Sequence, residues 1–159
     1  MKTGFTTLLL LMAVAFAGML AVRAADSGPT PRVIKIRAGV GNVVKFDVTS
    51  ISAAPGEPIQ VVLTNAGTLP KTIMGHNWIL LTAGSDPIAF ATAAATEPDT
   101  GYIPTKLKGE IVAFIALQGP GETGEVTFQA PREPGQYPFL CSFPGHAIIG
   151  MKGVLVVTK

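Results

Sequence analysis

GQYPFLCSFPGHAIIGMKGVLVV, residues 135–157, reads as a strand, a loop and a second strand. A strand sends alternate side chains to opposite faces. Tyr137, Phe139 and Cys141 therefore share one side, and Cys141 points inward at the strand's end. The closing strand, Gly153 to Lys159, carries Val154, Leu155, Val156 and Val157. Between the two, the loop from Cys141 to Met151 holds a thiol, an imidazole at His146 and a thioether at Met151, each five residues after the one before.

The same period of two recurs upstream. Ile34, Ile36 and Ala38 alternate with Lys35 and Arg37, and Val44, Phe46 and Val48 alternate with Lys45, Asp47 and Thr49. Both runs read as strands with one apolar face. Ile59 to Leu63 is a further strand, entered through the turn-forming Pro55-Gly56-Glu57-Pro58. Asn77 to Leu81 is apolar and expected to be buried. Glu110 to Leu117 and Glu125 to Gln129 add two more, separated by Gln118-Gly119-Pro120-Gly121. One segment breaks the pattern. Asp86 and Pro87 read as the cap and first turn of a short helix, or of an irregular flap, over Ile88 to Thr96. The fold class is therefore all-β: a β-sandwich of seven to eight short strands with a helical flap inserted.

Composition agrees. Of 159 residues 48% are apolar and 14% charged, which suits a packed core and not a disordered chain. Eighteen Gly and thirteen Pro supply many turns. The N-terminus reads as an export signal: Lys2, then an uncharged apolar run from Phe5 to Ala21, then Val22-Arg23-Ala24 before a cut. The expected organisation is a signal over 1–24, a short polar linker over 25–32 and one domain over 33–159. Retention of the segment as a membrane anchor is the alternative. Removing residues 1–24 takes away Lys2 and Arg23 and leaves 10 basic and 10 acidic residues. No basic cluster remains, so nucleic acid is not an expected partner.

An exported chain with a single cysteine needs a reason for its unpaired thiol. Taken singly, Cys141 reads as a buried small hydrophobe, His146 or His76 as a structural histidine and Met151 as core filler. Taken together they do not. The chain's two histidines and one cysteine fall in two short segments, with His76 lying 65 residues before Cys141. Two imidazoles, one thiolate and a weak axial thioether suit copper in both oxidation states. Zinc prefers four good ligands, and a thioether is a poor one.

Leu69-Pro70-Lys71-Thr72-Ile73-Met74-Gly75-His76-Asn77-Trp78 resembles the first copper-ligand segment of azurins. Cys141-Ser142-Phe143-Pro144-Gly145-His146, with Met151-Lys152-Gly153, resembles their C-terminal copper loop. The resemblance spans Val33 to Lys159 and implies a cupredoxin Greek-key sandwich holding one type 1 copper. It implies His76, Cys141 and His146 as equatorial ligands, Met151 as axial ligand and the Gly75 carbonyl as a weak axial contact. It also implies that Asn77 braces the two segments through the backbone or hydroxyl of Ser142. Two features depart from azurins. Four residues separate His146 from Met151 where azurins have three, a spacing that looks like the auracyanins. The azurin cysteine pair is missing, so the N-terminal region is expected to depend on packing alone.

The function so implied is that of a single-electron carrier, not an enzyme: an oxidase or nitrite reductase needs further histidines. A periplasmic copper-holding chaperone is the alternative. The ligand loops carry an apolar patch of Leu69, Met74, Pro144, Gly145, Ile148 and Ile149 for transient docking of redox proteins of the cytochrome, copper or haem reductase or oxidase type. The chain is expected to be monomeric and extracytoplasmic. Trp78, the single tryptophan, reads as a core aromatic before an electron relay.

Overall fold

The computed structural model describes residues 29–159. The expected export segment, 1–24, and the first half of the expected linker, 25–28, lie outside them. Among the described residues, no helix is long and apolar enough to cross a membrane.

Among the described residues, eight strands form two sheets. They are β1 (Arg32–Ala38), β2 (Ser50–Ala53), β3 (Pro58–Asn65), β4 (His76–Leu81), β5 (Ile111–Gln118), β6 (Thr123–Gln129), β7 (Gly135–Leu140) and β8 (Lys152–Val157). One sheet runs β1-β3-β6 and the other β2-β8-β7-β4-β5. The β1/β3 and β2/β8 pairs are parallel and the remaining ladders antiparallel. The expected β-sandwich is the fold observed.

Alternation decides which side chains meet between the sheets. Ile36, Ile59, Val61, Leu63, Trp78, Leu80, Phe139, Cys141 and Leu155 all point into one buried core. Trp78 sits at its centre, fully buried against Phe128 and Phe139. The odd positions of β4 face the other way. Ile79 and Leu81 form a second cluster with Phe90, Ile103, Leu140 and Ala147. After the single-turn α1 (Lys71–Met74) comes α2 (Pro87–Ala94), which belongs to that cluster and whose cap is Asp86: its Oδ1 accepts from the N–H groups of Ile88 at 2.8 Å and Ala89 at 3.3 Å. Ala147 belongs to the loop carrying His146, so the flap and that loop share one apolar cluster.

Two local readings need correction, and one strand, β2, escapes the sequence. Val44 to Val48 is not a strand. Its alternation is real, since Phe46 is fully buried while Lys45 and Asp47 are exposed, but only a single bridge joins Phe46 to Ala38. Gly39, Gly41 and Asn42 take positive φ just before it, and Asp47 accepts the Arg37 N–H through its side chain at 2.7 Å. The chain there is bent and its backbone partly satisfied by a side chain, so no ladder propagates. β2 lacks a long apolar signature and is recruited by pairing with β8. Finally, β1 does not rely on packing alone. It is tied to β3 along its whole length, and Arg32 Nε pairs with Glu57 at 2.5 Å.

Candidate metal centre

The loop from Cys141 to Met151 is closed by its own backbone. Cys141 N–H donates to the Met151 carbonyl at 3.0 Å, and Met151 N–H donates to the His146 carbonyl at 2.9 Å. His146 N–H donates to the Phe143 carbonyl at 3.0 Å. Gly145, with φ 83°, permits the turn that brings His146 back over Cys141. The loop thus brings a sulfur and an imidazole together, with the Met151 side chain buried in the same core cluster as Cys141, and β4 delivers His76 from the neighbouring strand.

The donors converge. Cys141 Sγ lies 3.4 Å from His146 Nδ1 and 3.9 Å from His76 Nδ1. One donor atom from each of the three residues falls within 4.8 Å of the other two. The imidazole centroids are 4.9 Å apart. Cys141, His76 and Met151 are fully buried, and His146 is 5% exposed. Burial sets the charge states. It holds the His76 imidazole well below its ordinary range, at about 4, and His146 likewise at about 4 with the neighbouring His76 contributing. Both rings are therefore neutral at pH 7 and have lone pairs to offer. Burial pushes the Cys141 thiol up to about 12, against the opposing pull of the Asn77 and Phe143 N–H groups. A metal entering here must displace that proton.

Around the donors lies a hydrogen-bonded frame. Asn77 Nδ2 donates to Ser142 Oγ at 2.8 Å, and Ser142 N–H donates to Asn77 Oδ1 at 2.7 Å. Both the backbone and the hydroxyl of Ser142 are thus engaged. Ser142 Oγ donates onward to the Tyr102 carbonyl at 2.6 Å, and the Tyr102 ring meets Phe143 edge-on. Tyr102 stands at φ 63°, an unusual conformation for a residue with a large side chain. The register between β4 and β5 slips between His76 and Trp78. Irregularities of this kind re-aim side chains at sites. Gly75 is buried, and a Cβ there would meet the Lys71 carbonyl at 2.6 Å and Leu117 at 2.9 Å, so only glycine fits.

Asn65 escapes the sequence reading. A polar residue ending an apolar strand resembles any turn residue, yet Asn65 is 1% exposed. Its Nδ2 donates to the Gln118 carbonyl at 3.0 Å and, at 3.4 Å, to that of Met74, two residues before His76. Its Oδ1 accepts the Gly67 N–H at 2.9 Å. Asn65→Ala is expected to cost about 1–3 kcal/mol of folding stability, because buried partners lose their bonds. Urea denaturation of the metal-free protein reads this directly, and an unchanged midpoint would show the amide to be idle.

Two imidazole nitrogens and one sulfur converging in a buried site, with a buried methionine in the same core cluster as the cysteine, form a donor set that fits copper. Comparisons with known proteins point the same way. A model of the family described as copper binding proteins, plastocyanin/azurin family, matches residues 33–158. Auracyanin-B of Chloroflexus aurantiacus is 34% identical over 128 residues, 80% of this chain and 52% of its own length. This chain thus spans about half of that relative. An azurin of Pseudomonas fluorescens biotype C is 37% identical over 118 residues, 72% of this chain and 90% of its own. Among solved structures, auracyanin B superposes with a TM-score of 0.71 at 34% identity, covering 82% of this chain and 92% of that one. Auracyanin A, titled a "blue" copper protein, gives 0.68 at 33% identity, covering 81% and 100%. Sequence, sandwich and donor set agree: this chain belongs to the plastocyanin/azurin family of copper-binding proteins, and its cofactor is copper.

Proposed function

We propose that this protein is an exported single-electron carrier in which His76, Cys141 and His146 hold one type 1 copper equatorially. In this reading Met151 is the axial thioether and the Gly75 carbonyl the weak contact opposite. The observation that carries it is the convergence of two Nδ1 atoms on one buried thiol. Copper bound there supplies one-electron chemistry by cycling between Cu(I) and Cu(II). The chain's own part is to hold the donors still. The Asn77–Ser142 pair ties the two ligand segments together, and burial keeps water out, so a change of charge at the centre meets a fixed frame.

Azurin-like and auracyanin-like cupredoxins carry electrons and are not enzymes. This chain's two histidines both enter one site, which leaves none for a catalytic copper. A copper-holding chaperone needs accessible donors for transfer, and these are buried.

Electrons need a way in. Of the four proposed ligands, His146 is the one that reaches the surface. Leu69, Pro144, Gly145, Ile148 and Ile149 are exposed on the two ligand loops, and Met74 is half-buried. Ile148 is 59% and Ile149 66% exposed. Ile73, Val40 and Val43 add further exposed apolar surface, the last two from the segment that follows β1. A small, apolar face of this kind suits short-lived encounters with redox proteins of the cytochrome, copper or haem reductase or oxidase type. The near balance of charge beyond residue 24 suits docking without strong steering. The apolar run from Phe5 to Ala21 supports an extracytoplasmic location for the monomer.

Ile148→Lys tests the docking face. It is expected to slow electron exchange with a c-type cytochrome about tenfold while leaving the copper absorption unchanged. Val33→Lys, at a position on β1 that is 50% exposed, controls for the added charge. Equal rates in both variants would remove the patch from the reading.

A further inference from the structure

His76 presents an unusual back edge. Its Nδ1 faces Cys141, while its Nε2 is buried and has no hydrogen-bond partner among the described residues. A ligating histidine is ordinarily oriented by a hydrogen bond from its second ring nitrogen. Here the ring must be oriented by contact, and the contact is Gly39. A Cβ built at Gly39 would stand 2.6 Å from His76 Nε2, 3.1 Å from Cδ2 and 3.4 Å from Asn65 Oδ1.

The Gly39 backbone is anchored and cannot easily retreat. Its N–H donates to the Lys45 carbonyl at 3.2 Å, and its carbonyl accepts the Asn42 N–H at 2.8 Å. The preceding carbonyl, of Ala38, accepts the Ala66 N–H at 2.7 Å. Asn42 Oδ1 then accepts the Thr68 N–H at 2.8 Å, tying the turn to the loop that leads into the first ligand segment. Gly39 also has φ 69°, the left-handed region.

We propose that Gly39 is a positioning residue of the metal centre: its bare backbone is the seat against which the His76 imidazole rests, and that seat fixes the direction of Nδ1. This rests on His76 being a ligand. The loop supplies its own control. Gly41 has φ 64°, and a Cβ there would meet nothing within 4 Å. Gly39→Ala and Gly41→Ala therefore carry similar backbone strain, and only the first carries a collision with His76.

The test compares the two variants by thermal melting of the metal-free protein, Cu(II) titration, and visible and electron paramagnetic resonance spectra. Both should melt lower. Only Gly39→Ala should shift the spectra and weaken Cu(II) binding, by about 10–100-fold. Wild-type spectra and affinity in Gly39→Ala, or equal changes in both variants, would overturn the proposal. The His76→Gly background covers the case in which Gly39→Ala alone does not fold. With the ring gone, Gly39→Ala should lower the melting temperature no more than Gly41→Ala does. A larger loss there would show that the collision is not with His76 and would equally overturn it. His76→Gly by itself isolates the underlying reading: an unchanged copper spectrum would mean that His76 is not a ligand, whatever the melting data show about the seat.

Discussion

Cys141→Ser is expected to remove the intense visible absorption that Cu(II) gives the wild-type protein, leaving at most the weak colour of a nitrogen- and oxygen-bound ion. The absorption of such a site comes from charge transfer between thiolate sulfur and copper. A serine hydroxyl offers neither a polarisable sulfur nor an easily lost proton. The effect should be all-or-none at the thiolate band, because Cys141 is the single cysteine in the chain. The fold should persist. Cys141 is fully buried, but the Asn77 and Phe143 N–H groups that face its sulfur remain to engage a hydroxyl. The cost should therefore be near the low end for a buried hydroxyl, about 1 kcal/mol. Absorption spectra of the copper-loaded variant, with urea denaturation of the metal-free form, check both halves. A surviving thiolate-type band would refute the assignment of Cys141, and a colourless wild-type protein that binds only Cu(I) would favour the copper-holding alternative.

The thiol's proton gives the wild-type protein a related signature. With the metal absent, burial pushes the Cys141 pKa up to about 12, so at pH 7 the sulfur is protonated. Both histidines, held down at about 4, are already neutral. Loading therefore releases one proton, from the sulfur, and the imidazoles contribute none near neutrality.

Much of this was legible in the sequence because it is local. The loop from Cys141 to Met151 holds three candidate donors in one turn of chain, and its flanking strands show their inward positions by simple alternation. His76 is remote in sequence, yet it was identifiable because it is the one other histidine. Asp86 and Pro87 announced α2 for the same local reason. What stayed hidden depends on tertiary neighbours. Nothing in the residues around Asn65 shows that its amide will find the carbonyls of Met74 and Gln118 across the end of the sandwich. Nothing around Gly39 shows that it will back onto an imidazole. Tyr102, in the segment following α2, gives its carbonyl to Ser142, so a stretch beyond the expected flap, with no motif of its own, also holds the ligand loop. Val44 to Val48 shows the converse: alternation reports which side chains are buried, not whether a hydrogen-bonded ladder exists.

The second large effect concerns the brace itself. Asn77→Leu keeps much of the side-chain volume and removes both polar atoms. Ser142 N–H then loses its acceptor in a fully buried position, and Ser142 Oγ loses a donor, while its own bond to the Tyr102 carbonyl remains. One buried, unpaired N–H costs about 1–3 kcal/mol, and the loss should show as a lower urea midpoint in the metal-free protein. The larger consequence is at the metal. Asn77 directly follows His76, and Ser142 directly follows Cys141, so this pair of hydrogen bonds links the two ligand segments right beside the ligands. Without it, the two segments are still joined through the β4–β7 ladder at Ile79 and Leu140, but the residues next to the two ligands no longer hold each other. Copper affinity is expected to fall about 10–100-fold, with a changed ratio of visible absorption bands. The two readouts separate two roles. A stability loss with an unaltered copper spectrum would make Asn77 a structural residue that happens to lie nearby. A shifted spectrum with weakened binding, in a variant that is still folded, would establish that the brace sets the geometry of the centre.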